Sequence, residues 1–112
     1  MIYGYVRIST RKQSLERQIK NIITYNAEAK IISEVFTGTK VENRKEYQKL
    51  RKLLKKDDTL IFDSVSRMSR NAEEGIKEYI DLMSQGINLV FLKEPYINIE
   101  LYREQLKGYE NI

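Results

Sequence analysis

The sequence has no cysteine and no histidine. Without cysteine there are no disulfides, no thiolate nucleophile and no cysteine zinc site. Without histidine the commonest general base and the commonest transition-metal ligand are both missing, and a Ser-His-Asp triad is impossible. No apolar run reaches the ~18 residues of a membrane span, and no signal-peptide pattern opens the chain. The start, Met-Ile-Tyr-Gly-Tyr-Val, reads as a strand. The expectation is a cytoplasmic protein with no membrane partner. Any catalysis rests on Ser, Thr, Tyr, Lys, Arg or carboxylates, with or without Mg²⁺.

What is present is ordinary in amount and uneven in placement. The 112 residues suffice for one domain with one core. With 41% hydrophobic and 32% charged residues, the composition is that of a globular chain rather than a disordered one. The net charge of +4 conceals a split: residues 1–56 hold 14 Lys/Arg against 5 Asp/Glu, whereas residues 57–112 hold 6 against 11. A basic half of this kind suits a polyanionic partner, although a lysine-rich face is commonly just a solvated one.

Periodicity alternates between strand and helix. Ile2–Ser9 is rich in β-branched and aromatic residues and predicts a strand. Leu15, Ile19, Ile22 and Ile23 mark one helical face between Gln13 and Asn26. Lys30–Thr37 predicts a second strand. Asn43 is placed to cap a helix over Arg44–Lys56, with Tyr47, Leu50, Leu53 and Leu54 inward. Thr59–Asp63 predicts a third strand after an Asp57-Asp58 turn. Asn71 is placed to cap a helix carrying Ile76, Tyr79, Ile80 and Met83, which Gly86 ends, and Ile87–Leu92 predicts a fourth strand. After Pro95, Ile99, Tyr102, Leu106 and Tyr109 predict a last helix over Asn98–Tyr109. The β-α-β-α-β-α-β order is that of an α/β domain with a largely parallel sheet.

In open α/β sheets, sites lie beyond the carboxyl ends of the strands. Three segments converge there. The first strand delivers Arg7 and Ser9, two apart and so on one face. The second leads to a loop ending at Arg44, and the third to Ser64-Val65-Ser66-Arg67-Met68-Ser69-Arg70. Guanidinium groups offer a permanent charge and a fork that matches phosphate oxygens. They also favour the alkoxide of a nearby serine. Composition and spacing therefore point to a phosphate-handling site with a serine nucleophile. Arg67 and Arg70 sit where a helix would start, a placement that opposes the helix dipole.

Tyr5-Val6-Arg7-Ile8-Ser9-Thr10, then Gln13-Ser14-Leu15 and Gln18, resembles the opening of the serine recombinases, the resolvase/invertase family. The likeness continues through Asn43-Arg44-Lys45 and Ser66-Arg67-Met68-Ser69-Arg70-Asn71, and covers the chain from about Met1 to Glu94. The resemblance implies a three-layer α/β domain, residues 1–95, around a central, largely parallel sheet of four to five strands flanked by helices. It implies that Ser9 attacks a phosphodiester of double-stranded DNA and becomes linked to a 5′ phosphate, after which strands are exchanged and rejoined without metal, ATP or another cofactor. Arg7, Arg44, Arg67 and Arg70 match the family's active-site, DNA-contacting arginines, and Gln13 and Gln18 its supporting glutamines. Ser66 stands where many small resolvases carry aspartate, so no carboxylate role carries over there. Residues 96–112 are expected to begin the helix that pairs subunits, a homodimer assembling to a tetramer, with the chain ending before the family's DNA-binding domain.

Two other readings stand beside this one. A metal-dependent nuclease would gather Asp57, Asp58, Asp63 and Glu73 around Mg²⁺, although Asp57-Asp58 suits a turn. A non-catalytic DNA-binding or assembly module would use the same fold without cleavage. Eight tyrosines invite a base-stacking role, but Tyr3, Tyr5, Tyr47 and Tyr79 fall on predicted core faces.

Overall fold

The computed structural model describes residues 1–8, 13–35, 44–69, 72–95 and 97. In chain order its elements are β1 (Ile2–Ile8), α1 (Gln13–Tyr25), β2 (Lys30–Val35), α2 (Lys45–Leu53), β3 (Thr59–Phe62), α3 (Val65–Met68), α4 (Ala72–Ser84) and β4 (Asn88–Phe91). The strands form one sheet in the order β2-β1-β3-β4, every pair parallel. The expected Asn98–Tyr109 helix and the cap at Asn71 lie outside the described residues, whereas α2 starts one residue later than expected, with Arg44 rather than Asn43 in the capping position.

Alternation along each strand sorts the side chains into two cores. Tyr3 and Tyr5 of β1, Leu60 and Phe62 of β3, and Leu89 and Phe91 of β4 face α2 and α4, meeting Tyr47, Leu50, Tyr79 and Leu82. The intervening Val6 and Ile61 face α1 and meet Ile22. Gly4 lets α1 approach β1 closely, because a Cβ there would lie 2.7 Å from Ile22 Cγ2. The result is three layers with the sheet in the middle. Phe62 stacks on Phe91 at 5.4 Å, and Tyr5 meets Tyr47 edge-on at 4.9 Å. The four tyrosines assigned to the core are buried there.

Differences from the predicted elements are local. The helix expected over Arg44–Lys56 ends at Leu53, and Leu54 turns to an extended conformation that buries its own side chain. Leu53 is 53% exposed as a consequence, not inward. Ile23 and Ile80 sit at the margins of their helices' buried faces and are exposed. The segment after β3 is not a lead-in to α4 but a separate turn of helix, α3, followed by an extended Ser69. Arg67 therefore lies in the last turn of α3, where a cation complements the dipole rather than opposing it.

Candidate active site

Among the described residues, the site forms where β1 and β3 end. The register of β1 against β3 stops at Tyr5↔Phe62. Past that point the Gln18 amide serves the Arg7 peptide: Arg7 N–H donates to Gln18 Oε1 at 3.1 Å, and Gln18 Nε2 donates back to Arg7 O at 3.0 Å. Gln18 is buried on α1, so this reciprocal pair fixes the strand end to the helix. Ser9, two residues further on, lies outside the described residues, as do Arg70 and the side chain of Gln13.

The α3 turn is held by arginines. Arg7 donates from Nε to Arg67 O at 3.3 Å and from a terminal nitrogen to Ser66 O at 2.7 Å. Arg44 donates to Arg67 O at 3.2 Å and to Met68 O. These are the carbonyls that the end of a helix leaves without an internal partner. Met68 is buried and anchors the turn in the larger core.

Arg44 is 1% exposed, and its guanidinium lies 4.5 Å from the Tyr47 ring centroid and 5.6 Å from that of Tyr5. Desolvated cation–π contacts of this kind contribute about 2 kcal/mol. The sequence suggests a phosphate-facing arginine at this position, whereas the described contacts of Arg44 are inward, to rings and carbonyls. Its backbone begins α2 without any side-chain cap of its own. Glu34 of β2 supplies the cap instead, accepting from Glu46 N at 2.9 Å and Tyr47 N at 3.1 Å. Glu34 also accepts from the Tyr5 hydroxyl at 2.7 Å. Burial, then the bond to Glu34, pushes the Tyr5 hydroxyl well above the ordinary tyrosine range. Tyr47 is pushed up as well, first by burial and then by the Glu78 carboxylate to which it donates.

Arg67 is half-buried, and its Nε is enclosed with no hydrogen-bond partner among the described residues. Arg44 Nε is in the same position. Arg7, Arg44 and Arg67 thus bring positive charge together at this end of the sheet, with the buried Glu34 carboxylate behind Tyr5 as a neighbour of Arg44. Of the three, Arg67 is the one left partly open, and its fork suits an anion with several oxygens.

The structure thus gathers Arg7, Gln18, Arg44 and Arg67 from four elements. The acidic residues considered for a metal are scattered: Asp58 and Asp63 bracket β3 from opposite ends. Asp63 accepts from Asn21 Nδ2 at 2.9 Å and pairs with Lys93 at 3.3 Å. Asp58 binds the N-terminal ammonium at 3.1 Å and the Lys55 N–H at 2.9 Å. Among the described residues no group of three or more potential ligands lies within reach of one ion, and no helix is long and apolar enough to cross a membrane. Sequence reasoning missed Glu34 and Glu94. Glu94 accepts from Val65 N at 3.0 Å and so caps α3. Each is a lone carboxylate far along the chain from the helix it caps, and no local spacing announces it.

Residues 2–107 match the family described as "Resolvase, N terminal domain". The chain belongs to the resolvase family. The transposon Tn917 resolvase of Enterococcus faecalis is 32% identical over 95 residues, covering 84% of this chain and 50% of that protein. A resolvase of Clostridium perfringens is 29% identical over 99 residues, covering 88% and 52%. The chain therefore spans about half the length of these curated resolvases. Among solved structures, the N-terminal catalytic domain of TP901-1 integrase superimposes with a TM-score of 0.69 at 22% identity, covering 84% of this chain and 78% of that one. The four-stranded parallel sheet with its flanking helices is the resolvase catalytic-domain fold.

Proposed function

We propose that this resolvase-family chain is the catalytic domain of a site-specific DNA recombinase, with Ser9 as its nucleophile. In the cleavage step the Ser9 Oγ–phosphorus bond forms as the phosphorus–O3′ bond breaks. The serine proton is lost, and the departing 3′ oxygen takes one up. The 5′ phosphate stays on serine, so the energy of the ester is retained. Attack by the 3′ hydroxyl of another strand reverses the step and restores Ser9 without metal or ATP.

The observation that carries this reading is the cluster of Arg7, Arg44 and Arg67 around α3, with two buried guanidinium nitrogens lacking a protein partner among the described residues. Phosphoryl transfer needs little covalent help from the protein; it needs positioning and charge opposite the equatorial oxygens. Arg67, with Arg70 three residues on in the sequence, takes the phosphate. Arg7 shapes the floor of the site while holding α3. Arg44 contributes its field and holds the Arg67 and Met68 carbonyls. Gln18, with Gln13, fixes the strand end that presents Ser9.

Residues 1–95 form the catalytic domain in this reading. Residues 96–112 begin a helix whose Ile99, Tyr102, Leu106 and Tyr109 pair subunits, giving a homodimer that assembles to a tetramer on double-stranded DNA in the cytoplasm. The test is an SDS-resistant adduct between the full protein and a supercoiled plasmid carrying the DNA that flanks its coding sequence. Adduct formation that disappears in Ser9→Ala supports the recombinase. Binding without any adduct supports a non-catalytic DNA-binding module instead.

A further inference from the structure

We infer that Glu94 is a positioning residue for the cleavage step, acting from the loop after β4 to fix the amino end of α3 and so aim Arg67. The inference rests on the recombinase reading and adds a residue to it.

A four-residue helix cannot hold its own shape, because one turn repays little of its ordering cost. The orientation of α3 must come from outside. Its carboxyl end is held by Arg7 and Arg44. At the amino end, Ser64 stands in the capping position but makes no side-chain cap; its hydroxyl pairs with Ser66 Oγ at 2.8 Å. The cap comes instead from Glu94 Oε1, which accepts the Val65 N–H at 3.0 Å. Negative charge at the amino end and positive charge at the carboxyl end both suit the peptide dipoles of the turn.

The loop bearing Glu94 is itself tied down. Leu92 N–H donates to Phe62 O at 3.0 Å and Lys93 N–H to Asp63 O at 2.9 Å, so the chain after β4 continues in step with the end of β3. The Lys93 ammonium pairs with buried Asp63 at 3.3 Å, and Ile97 N–H closes back on Glu94 O at 2.9 Å. Glu94 is therefore delivered from a fixed frame. Arg67 Nε has no partner among the described residues, so its aim depends on where the α3 backbone puts it. A displaced amino end would swing Arg67 off the phosphate while leaving the other arginines of the site in place.

The experiment measures adduct formation at saturating plasmid, together with plasmid affinity, for the full protein and its Arg67→Ala, Glu94→Ala, Glu94→Gln and doubly substituted Glu94→Ala/Arg67→Ala variants. Misplacing a catalytic group by about 1 Å costs on the order of 10²-fold, so Glu94→Ala is expected to slow the adduct step by about 10- to 100-fold. Its affinity should fall no further than that of Arg67→Ala, since Arg67 is the one phosphate contact that the displaced turn moves. Glu94→Gln keeps an acceptor oxygen and should restore most of the rate. In the Arg67→Ala background, Glu94→Ala should cost little more, because both act through one group. If Arg67→Ala is slow while Glu94→Ala runs at the parental rate, the inference falls and the recombinase reading stands. Fully additive losses also overturn it. If Arg67→Ala itself forms the adduct at the parental rate, the inference falls together with the role given to Arg67; if the parental protein forms no adduct, it is the recombinase reading that fails. Should Glu94→Ala not fold, hydrogen exchange at the Val65 amide of the parental protein decides: slow exchange is expected, and fast exchange overturns the inference.

Discussion

At the scale of single residues, the site is organised by buried carboxylates and phenols that bind one another and the backbone. Tyr5 and Tyr47 each donate to a buried carboxylate, and each hydroxyl is held far above its ordinary value. Both should stay protonated in the folded protein well above the ordinary tyrosine range. Ultraviolet titration should therefore show at least two of the eight tyrosines silent until the chain unfolds. The sign of the linked stability change follows. Above the unfolded tyrosine value near 10 the unfolded chain releases these protons and the folded chain does not, so stability falls as pH rises. Arg44→Lys is a second residue-scale case. A lysine cannot reproduce a planar fork that reaches two carbonyls while lying on two rings. The substitution should cost about 1–3 kcal/mol in chemical denaturation, the range for stranding buried acceptors.

At the scale of elements, most of the fold was legible because period-2 and period-3.6 patterns alternate cleanly. Leu89-Val90-Phe91-Leu92 announces a buried strand, and Leu15, Ile19 and Ile22 announce a helical face. α3 was not legible. Four residues carry no period, and its helicity depends on Arg7, Arg44 and Glu94, which arrive from distant parts of the chain. Arg7, Gln18, Arg44 and Arg67 could be found because they lie in short motifs; Glu34 and Glu94 could not, because capping across the tertiary structure has no fixed spacing. Gly86 was legible as a stop, and the structure gives the reason: it sits at φ +80° after α4, where a Cβ would also meet Lys56 Cγ at 2.8 Å. Gly86→Ala should lower stability by about 1 kcal/mol or more, measured by thermal unfolding, through strain in the left-handed region.

At the scale of the whole molecule, the carboxyl ends of the strands carry the site, while the opposite edge carries a purely structural ion pair. There Asp58 joins the N-terminus to the Lys55 turn. The Lys55 N–H, followed by the N-terminal ammonium, holds the Asp58 carboxyl below its ordinary value of 3.8. A carboxyl depressed in the folded state contributes stability that is complete above its unfolded value and is lost as pH falls through the folded one. Asp58→Asn should therefore flatten the acid limb of the stability curve below about pH 4–5, while leaving the alkaline limb set by the tyrosines unchanged. The site end carries the opposite demand, a concentration of guanidinium groups that calls for an anion.

Recombinase chemistry at this end of the sheet requires a phosphodiester placed against Ser9. The most direct measurement is to trap the covalent adduct on nicked DNA that cannot be rejoined, digest the protein and identify the modified peptide by mass spectrometry. A nucleotide 5′ phosphate is expected on Ser9, in the peptide that contains Arg7-Ile8-Ser9-Thr10. A phosphate carried by any other residue, or cleavage that proceeds unchanged in Ser9→Ala, would contradict it.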